Sequence, residues 1–249
     1  MQRTDILSCG YKIIQDDSAF CFGIDAVLLS AFTKLKKGNN VFDLGTGNGI
    51  MPLLLNAKAR ELKSAHGAGD CHFTGLEVQS GAVEMARESV RLNAVEAQIE
   101  IVHGNICTVR EIFPAQGADV VVSNPPYMVP SAAKANSTDE KTIARHEVLC
   151  TLDDVVGAAK WLLKSNGSFF MIHRPYRLAE IFSSLEKYRL TPRRMQLVYP
   201  KINQPPEMVL IEAKPNYKPD LKIEPPLIMY GPDGEYTPDF KAYCGSFLN

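Results

Sequence analysis

Asn124-Pro125-Pro126-Tyr127 directly follows the apolar run Ala118-Asp119-Val120-Val121-Val122-Ser123. A strand that ends this way sets an amide oxygen, a backbone carbonyl and a flat ring at one point. Each proline biases the residue before it to extended geometry, and neither carries an N–H to compete for the carbonyl of Pro125. Asn124 Oδ1 and that carbonyl can then accept both hydrogens of a planar NH2 group, with Tyr127 stacked on the plane. Such a nitrogen is a poor nucleophile because its lone pair is delocalised. Two acceptors draw it toward tetrahedral geometry and localise the pair, so positioning does most of the work and no strong base is required. Asn124, Pro125, Pro126 and Tyr127 are the catalytic candidates; the plainer alternative is a proline-rich strand exit with a buried tyrosine. Adenine N6, cytosine N4 and a glutamine amide all offer such an NH2, so the motif names a reaction type rather than a substrate.

The second constellation is Asp43-Leu44-Gly45-Thr46-Gly47-Asn48-Gly49. Gly45 and Gly47 let the backbone turn sharply and approach a ligand, and Gly49 lets the next helix pack close. The Gly-x-Gly-x-Gly spacing is one residue short of the dinucleotide fingerprint, which counts against a nicotinamide oxidoreductase. An acid before the glycines suits the ammonium of S-adenosylmethionine better than a phosphate. Glu77 ends the next strand, where a carboxylate can accept both ribose hydroxyls. Asn105 follows the strand after that, where it can meet an adenine amine. Singly these are an ordinary strand-end acid and a turn asparagine; at successive strand ends they outline an adenosine site.

These residues need a parallel sheet to bring them together. The pattern predicts core strands over 40–44, 72–78, 98–103, 118–123 and 168–173, with helices over 49–64, 80–92, 151–164 and 176–187 between them. Strands at 195–199 and 208–213, joined by 200–207, predict a closing antiparallel hairpin. Strand–helix alternation implies a doubly wound α/β fold with ligands at the carboxyl ends of the strands. Residues 11–22 hold a short strand, with Phe20 and Phe22 alternating, and Asp25 is a candidate N-cap for a helix over 26–32. We expect one domain over 1–249: an extension (1–39), a catalytic core (40–214) and an irregular, proline-rich tail (215–249) packed over it. The polar stretch 128–148 is long for a loop and is expected to be functional or disordered.

Composition bounds the rest. The chain has 249 residues, 45% of them hydrophobic, and six cysteines (9, 21, 71, 107, 150, 244) without a Cys-x-x-Cys pair. The cysteine spacing predicts no zinc site and no disulfide framework, and suits a reducing cytoplasm. We expect neither a membrane span nor a secretion signal. Net charge is −1, which speaks mildly against nucleic acid, but residues 160–249 carry more basic than acidic side chains. Arg174, Arg193 and Arg194 lie there and are candidate RNA contacts; an ordinary solvated surface is the alternative.

At these residues the chain resembles the amino-methylating class I methyltransferases, which have a Rossmann-like, mainly parallel seven-stranded sheet ending in an antiparallel hairpin. Three flanking segments, Phe22 to Leu29, Ala144-Arg145-His146-Glu147 and Gly234-Glu235-Tyr236-Thr237, resemble the bacterial tRNA1(Val) (adenine(37)-N6)-methyltransferases. The likeness runs from about Gln15 to Thr237. It implies S-adenosylmethionine as cofactor, with Asp43, Gly45, Thr46, Gly47 and Gly49 around its methionine end and Glu77 on the ribose; Asn124 to Tyr127 hold the target base, with Asn124 also beside the cofactor. Asn105 stands where relatives often carry Asp and would give a weaker bond to the adenine amine. Asp25 is either a cofactor-side group or a plain helix cap. Tyr11, Phe20 or Phe22 could cover the other side of the target base, and Arg145 either meets a phosphate or pairs with Glu147. His103 and His173 are expected to be structural. The implied partner is the anticodon stem-loop of a tRNA, with no metal and no membrane. Rival readings are a glutamine-amide methyltransferase, disfavoured because only about 40 residues precede the first core strand; a DNA adenine methyltransferase; and a non-catalytic RNA-binding module.

Overall fold

Apolar runs bounded by turns become strands, and the segments between them leave room for one helix each. The computed structural model describes residues 2–16, 23–66, 70–125 and 150–248. In chain order these form β1 (Gln2–Ile6), β2 (Lys12–Asp16), α1 (Ile24–Phe32), β3 (Asn40–Leu44), α2 (Ile50–His66), β4 (His72–Glu77), α3 (Ser80–Leu92) and β5 (Ile99–His103). A 3-10 turn (Ile106–Thr108), α4 (Val109–Ile112), β6 (Ala118–Ser123), α5 (Leu152–Leu162) and β7 (Leu163–His173) follow. Then come a 3-10 turn (Pro175–Arg177), α6 (Leu178–Lys187), β8 (Leu190–Tyr199), β9 (Met208–Pro215), β10 (Lys222–Ile223), β11 (Leu227–Ile228) and α7 (Pro238–Cys244).

Laterally the main sheet reads β10-β8-β9-β7-β6-β3-β4-β5, with β11 also on β8. Strands β3 to β7 are parallel to one another, and β9 runs against both β7 and β8. The expected seven strands are thus β3 to β9, closed by the expected hairpin. The winding reverses beside β3, with β4 and β5 on one side and β6 and β7 on the other. That switch opens a crevice at the carboxyl ends of β3 and β6.

Both sheet faces are covered, which is why β6 and β7 read as continuous apolar runs rather than alternating ones. On one face α1, α2 and α3 bury Leu28, Leu54 and Val90 with Val41, Val122 and Phe170. On the other, α5 and α6 bury Val156, Leu162 and Ile181 with Val121, Phe169 and Met171. Helix α5 begins where the acidic start predicted: Thr151 and Asp154 form a reciprocal capping box.

Two regions differ from expectation. The extension begins with a hairpin, β1 against β2, and β2 is held to α3 by Ile14 N–H to Ser89 Oγ at 2.9 Å and Lys12 N–H to Asn93 Oδ1 at 2.8 Å. β1 is polar and mostly exposed, so it carries no burial signal. The tail is not irregular: β10 and β11 extend the sheet parallel to β8, bringing it to nine strands. Tyr236 stacks between Tyr230 and Phe240, at 4.9 and 4.8 Å between ring centroids. Thr237 Oγ1 donates to the Ile228 carbonyl at 2.7 Å and accepts from Phe240 N–H at 3.1 Å, capping α7. The family-like segment Gly234 to Thr237 is therefore a clip that fastens the tail. Thr237→Val should lower unfolding free energy by about 1 kcal/mol in urea titrations; an unchanged midpoint would show that the clip is held by its rings alone.

Candidate functional site

Because β3 to β7 are parallel, their carboxyl ends share one edge. In register, Leu44 sits beside Leu76, Glu77 beside His103, and Ser123 beside Met171. Ser123, absent from the sequence candidates, donates its Oγ–H to the Leu44 carbonyl at 2.8 Å and clasps the ends of β3 and β6. Asn124 and Pro125 leave β6 from that clasp, both partly buried. The clasp sets the glycine turn and the start of the Asn-Pro-Pro-Tyr motif side by side.

The turn is built by positive dihedrals at Gly45 (φ +79°), Gly47 (+55°) and Gly49 (+85°), a region that costs other residues strain. Gly45 and Thr46 N–H groups both donate to the Leu76 carbonyl, at 2.9 and 3.0 Å. A Cβ on Gly49 would stand 3.1 Å from the Cβ of Ala86, whereas one on Gly47 would meet nothing within 4 Å. So Gly49 serves close packing of α2 on α3, and Gly47 leaves room for a ligand.

Asp43 is buried, and neither of its carboxylate oxygens has a hydrogen-bond partner among the described residues; nor does Thr46 Oγ1. Burial pushes the Asp43 pKa up to about 7; the nearby Thr46 hydroxyl, short of a hydrogen bond, pulls it back in part, and the charge of Glu77 pushes it further up. A buried carboxylate without partners is costly, and a cationic ligand with N–H donors would relieve it. Glu77 instead is anchored to backbone. Its Oε2 accepts from Gly47 N–H, and its Oε1 from Val78 and Gln79 N–H, each at 2.9 Å. It braces the glycine turn from the neighbouring strand. Orphaned carboxylate, open turn and braced acid fit the ammonium, backbone approach and ribose that S-adenosylmethionine would present.

The model for the methyltransferase small domain matches residues 12–188. The chain belongs to this family. A tRNA1(Val) (adenine(37)-N6)-methyltransferase of Proteus mirabilis is 27% identical over 246 residues, covering 95% of this chain and 90% of the relative. One from Haemophilus influenzae is 26% identical over 231 residues, 92% of each chain. Among solved structures, a predicted O-methyltransferase from Agrobacterium tumefaciens shares the fold with a TM-score of 0.70 at 21% identity, over 89% of this chain and 96% of that one. The fold is that of the class I methyltransferases, as the sheet order requires.

The remaining candidates of this methyltransferase fall into three groups. Phe22, Pro126, Tyr127 and Arg145, with Phe20, His146 and Glu147, lie outside the described residues. Asn105 is close to the site edge, but its Oδ1 accepts from Cys107 N–H at 2.9 Å and caps the 3-10 turn. Asp25 is not the N-cap of α1; that position is Gly23, and Asp25 Oδ1 accepts from Ala26 N–H at 2.9 Å inside the first turn.

The arginines separate. Arg174 follows the end of β7, on the site edge, and donates to the Glu207 carbonyl at 3.1 Å. Arg193 packs toward the tail, 5.0 Å from the Tyr217 ring centroid and bonded to the Lys218 carbonyl at 3.1 Å. Arg194 is largely buried: it pairs with Glu212 at 3.0 Å, donates to the Phe32 carbonyl at 2.7 Å and lies 3.7 Å from the Phe32 ring centroid. A guanidinium so engaged is a structural group and not an exposed phosphate contact. His103 Nε2 lies 2.9 Å from the Val78 carbonyl. His173 Nδ1 accepts from Arg174 N–H at 2.7 Å, and burial lowers its pKa to about 4. Both bond to backbone, in keeping with a structural role. Among the described residues, no helix is long and apolar enough to cross a membrane.

The folded Asp43 carboxyl keeps its proton to a higher pH than the unfolded one, so its effect on stability is unfavourable as pH rises from about 4 through about 7. Asp43→Asn should therefore stabilise the unliganded protein near pH 8, on the order of 2–4 kcal/mol, and change little near pH 4. Urea titrations at the two pH values check this; equal effects at both would mean that the carboxylate is solvated or paired.

Proposed function

We propose that this methyltransferase transfers a methyl group from S-adenosylmethionine to the exocyclic N6 of an adenine in tRNA, with position 37 beside the anticodon of tRNA1(Val) as the target. The observation that carries the reading is the Ser123–Leu44 clasp. It joins an orphaned acid at the end of one strand to an Asn-Pro motif at the end of its neighbour. The names of relatives matched over nine-tenths of the chain favour tRNA over a protein amide or DNA.

S-adenosylmethionine supplies an electrophilic methyl group on a sulfonium that leaves as a neutral thioether. Asp43 holds the ammonium, the room beside Gly47 admits the backbone approach, and Glu77 accepts from the ribose while bracing the turn. Asn105 meets the adenine amine through the lone pair its cap leaves over, and Asp25 stays a secondary candidate. Asn124 Oδ1 and the Pro125 carbonyl accept the two hydrogens of the target amine and keep its lone pair on the methyl; once methylated, the nitrogen gives up one of those protons to solvent. Pro126 restrains Pro125, and Tyr127 and Phe22 stack on the base. A base inside a folded loop must turn outward to reach this pocket. Arg174 lies on the same edge, and Tyr176 and Ile202, 70% and 78% exposed, come from the segments that follow β7 and β8. These side chains, with Arg145, offer the RNA a cation and a stacking surface, so binding should weaken as salt rises. Such a reaction takes place in the cytoplasm, where tRNA matures.

The test is methyl transfer from labelled S-adenosylmethionine into unmodified tRNA, with DNA and total protein as parallel acceptors. The label should be recovered as N6-methyladenosine. In Asn124→Ala, turnover should fall on the order of 100- to 1000-fold, as when one transition-state hydrogen bond is removed, while calorimetric affinity for the cofactor stays within a few fold. Label in protein, or unchanged turnover in the variant, would overturn the proposal.

A further inference from the structure

The six cysteines lack the spacing of a metal motif, and the sequence therefore predicts no metal. The fold nonetheless brings two of them together. Cys107 lies in the 3-10 turn after β5, and Cys150 stands directly before Thr151, the N-cap of α5. Asp154 is on the first turn of α5. One ligand atom from each, two sulfurs and a carboxylate oxygen, all lie within 4.8 Å of one another. Local hydrogen bonds orient these residues. Cys107 N–H donates to the capping Asn105 at 2.9 Å. Asp154 Oδ2 accepts from the Thr151 N–H and hydroxyl at 2.8 and 2.6 Å, which holds the carboxylate in place.

We propose that Cys107, Cys150 and Asp154 form a binding site for one thiophilic divalent cation, zinc being the best match. Zn–S bonds of about 2.3 Å in a tetrahedron put two thiolates roughly 3.8 Å apart, inside the observed span, and water completes the fourth position. Soft sulfur favours zinc over magnesium or calcium, which take oxygen ligands. Three acids crowd one spot, and a cation removes that penalty. Burial raises both thiol pKa values, the charge of Asp154 raises them further, and Cys150 is raised well above an ordinary thiol. On binding, the two thiols lose their protons to solvent and the metal takes their place. The bound ion ties the turn that carries Asn105 to the start of α5. It would fix the adenine side of the crevice without touching the methyl-transfer chemistry, and it stands independently of the tRNA reading.

The purified full-length protein, reduced and stripped with chelator, is titrated with zinc chloride against a chromophoric chelator, and with cobalt chloride by absorption spectroscopy. One zinc should bind, with about two protons released near neutral pH, and cobalt should give a thiolate charge-transfer band in the near ultraviolet. Zinc at a hundredfold excess over its Kd should raise the melting temperature by roughly 5–10 °C. Cys107→Ser and Cys150→Ser should each lower zinc affinity at least tenfold while circular dichroism stays that of the parent. The cobalt band of the parent protein tests the site without any variant. Absence of the band, zinc binding undiminished in both variants, or a Cys107–Cys150 disulfide formed by diamide in a protein that takes up no zinc would each overturn the proposal.

Discussion

A carboxylate kept out of water without a hydrogen-bond partner is the constraint on which the site turns. Asp43 is shut off from solvent because it lies in a central strand of a sheet whose two faces are both covered. No hydrogen bond to it forms among the described residues, the Thr46 hydroxyl lying near but short of one. Such a group either stays protonated or waits for a cation. Natural folds tolerate this kind of cost where a ligand removes it.

The surrounding structure denies that carboxylate internal partners. The N–H groups of Gly45 and Thr46 are drawn to Leu76, and that of Gly47 to Glu77, so none turns back to Asp43. Asn48 Nδ2 donates to the Ile14 carbonyl at 3.3 Å, tying the turn to the N-terminal hairpin as well. Glu77 spends both oxygens on backbone and in doing so sets the turn in one conformation. Gly75 completes the arrangement, since a Cβ there would stand 2.8 Å from Thr46. The Ser123 clasp then fixes where Asn124 stands relative to this assembly. Preorganisation of this sort is what a reaction driven by positioning requires.

Much of this was legible in the sequence, for identifiable reasons. Buried parallel strands announce themselves as apolar runs, and strand ends in a parallel sheet fall on one edge whatever their spacing along the chain; Asp43, Glu77 and Asn124 could therefore be grouped without coordinates. The Thr151–Asp154 cap is local and equally readable. Features that depend on distant partners were not. Arg194 counts as surface charge until Glu212 and Phe32 are seen around it. Asn105 looks uncommitted until its cap on Cys107, which takes one lone pair of its oxygen, is drawn. β1 is polar and exposed, so only its pairing with β2 reveals it, and the tail gains order through β8 and the Tyr230–Tyr236 stack. Cys107 and Cys150 meet only because α5 packs on the turn after β5.

The most direct measurement is calorimetry of S-adenosylmethionine binding near pH 6 in buffers of different ionisation enthalpy. If the Asp43 carboxyl is largely protonated before binding and ionised against the ammonium afterwards, most of a proton leaves the protein on binding. That release should disappear in Asp43→Asn along with most of the affinity. Binding with no proton release, or with the same release in the variant, would contradict the central role given to Asp43.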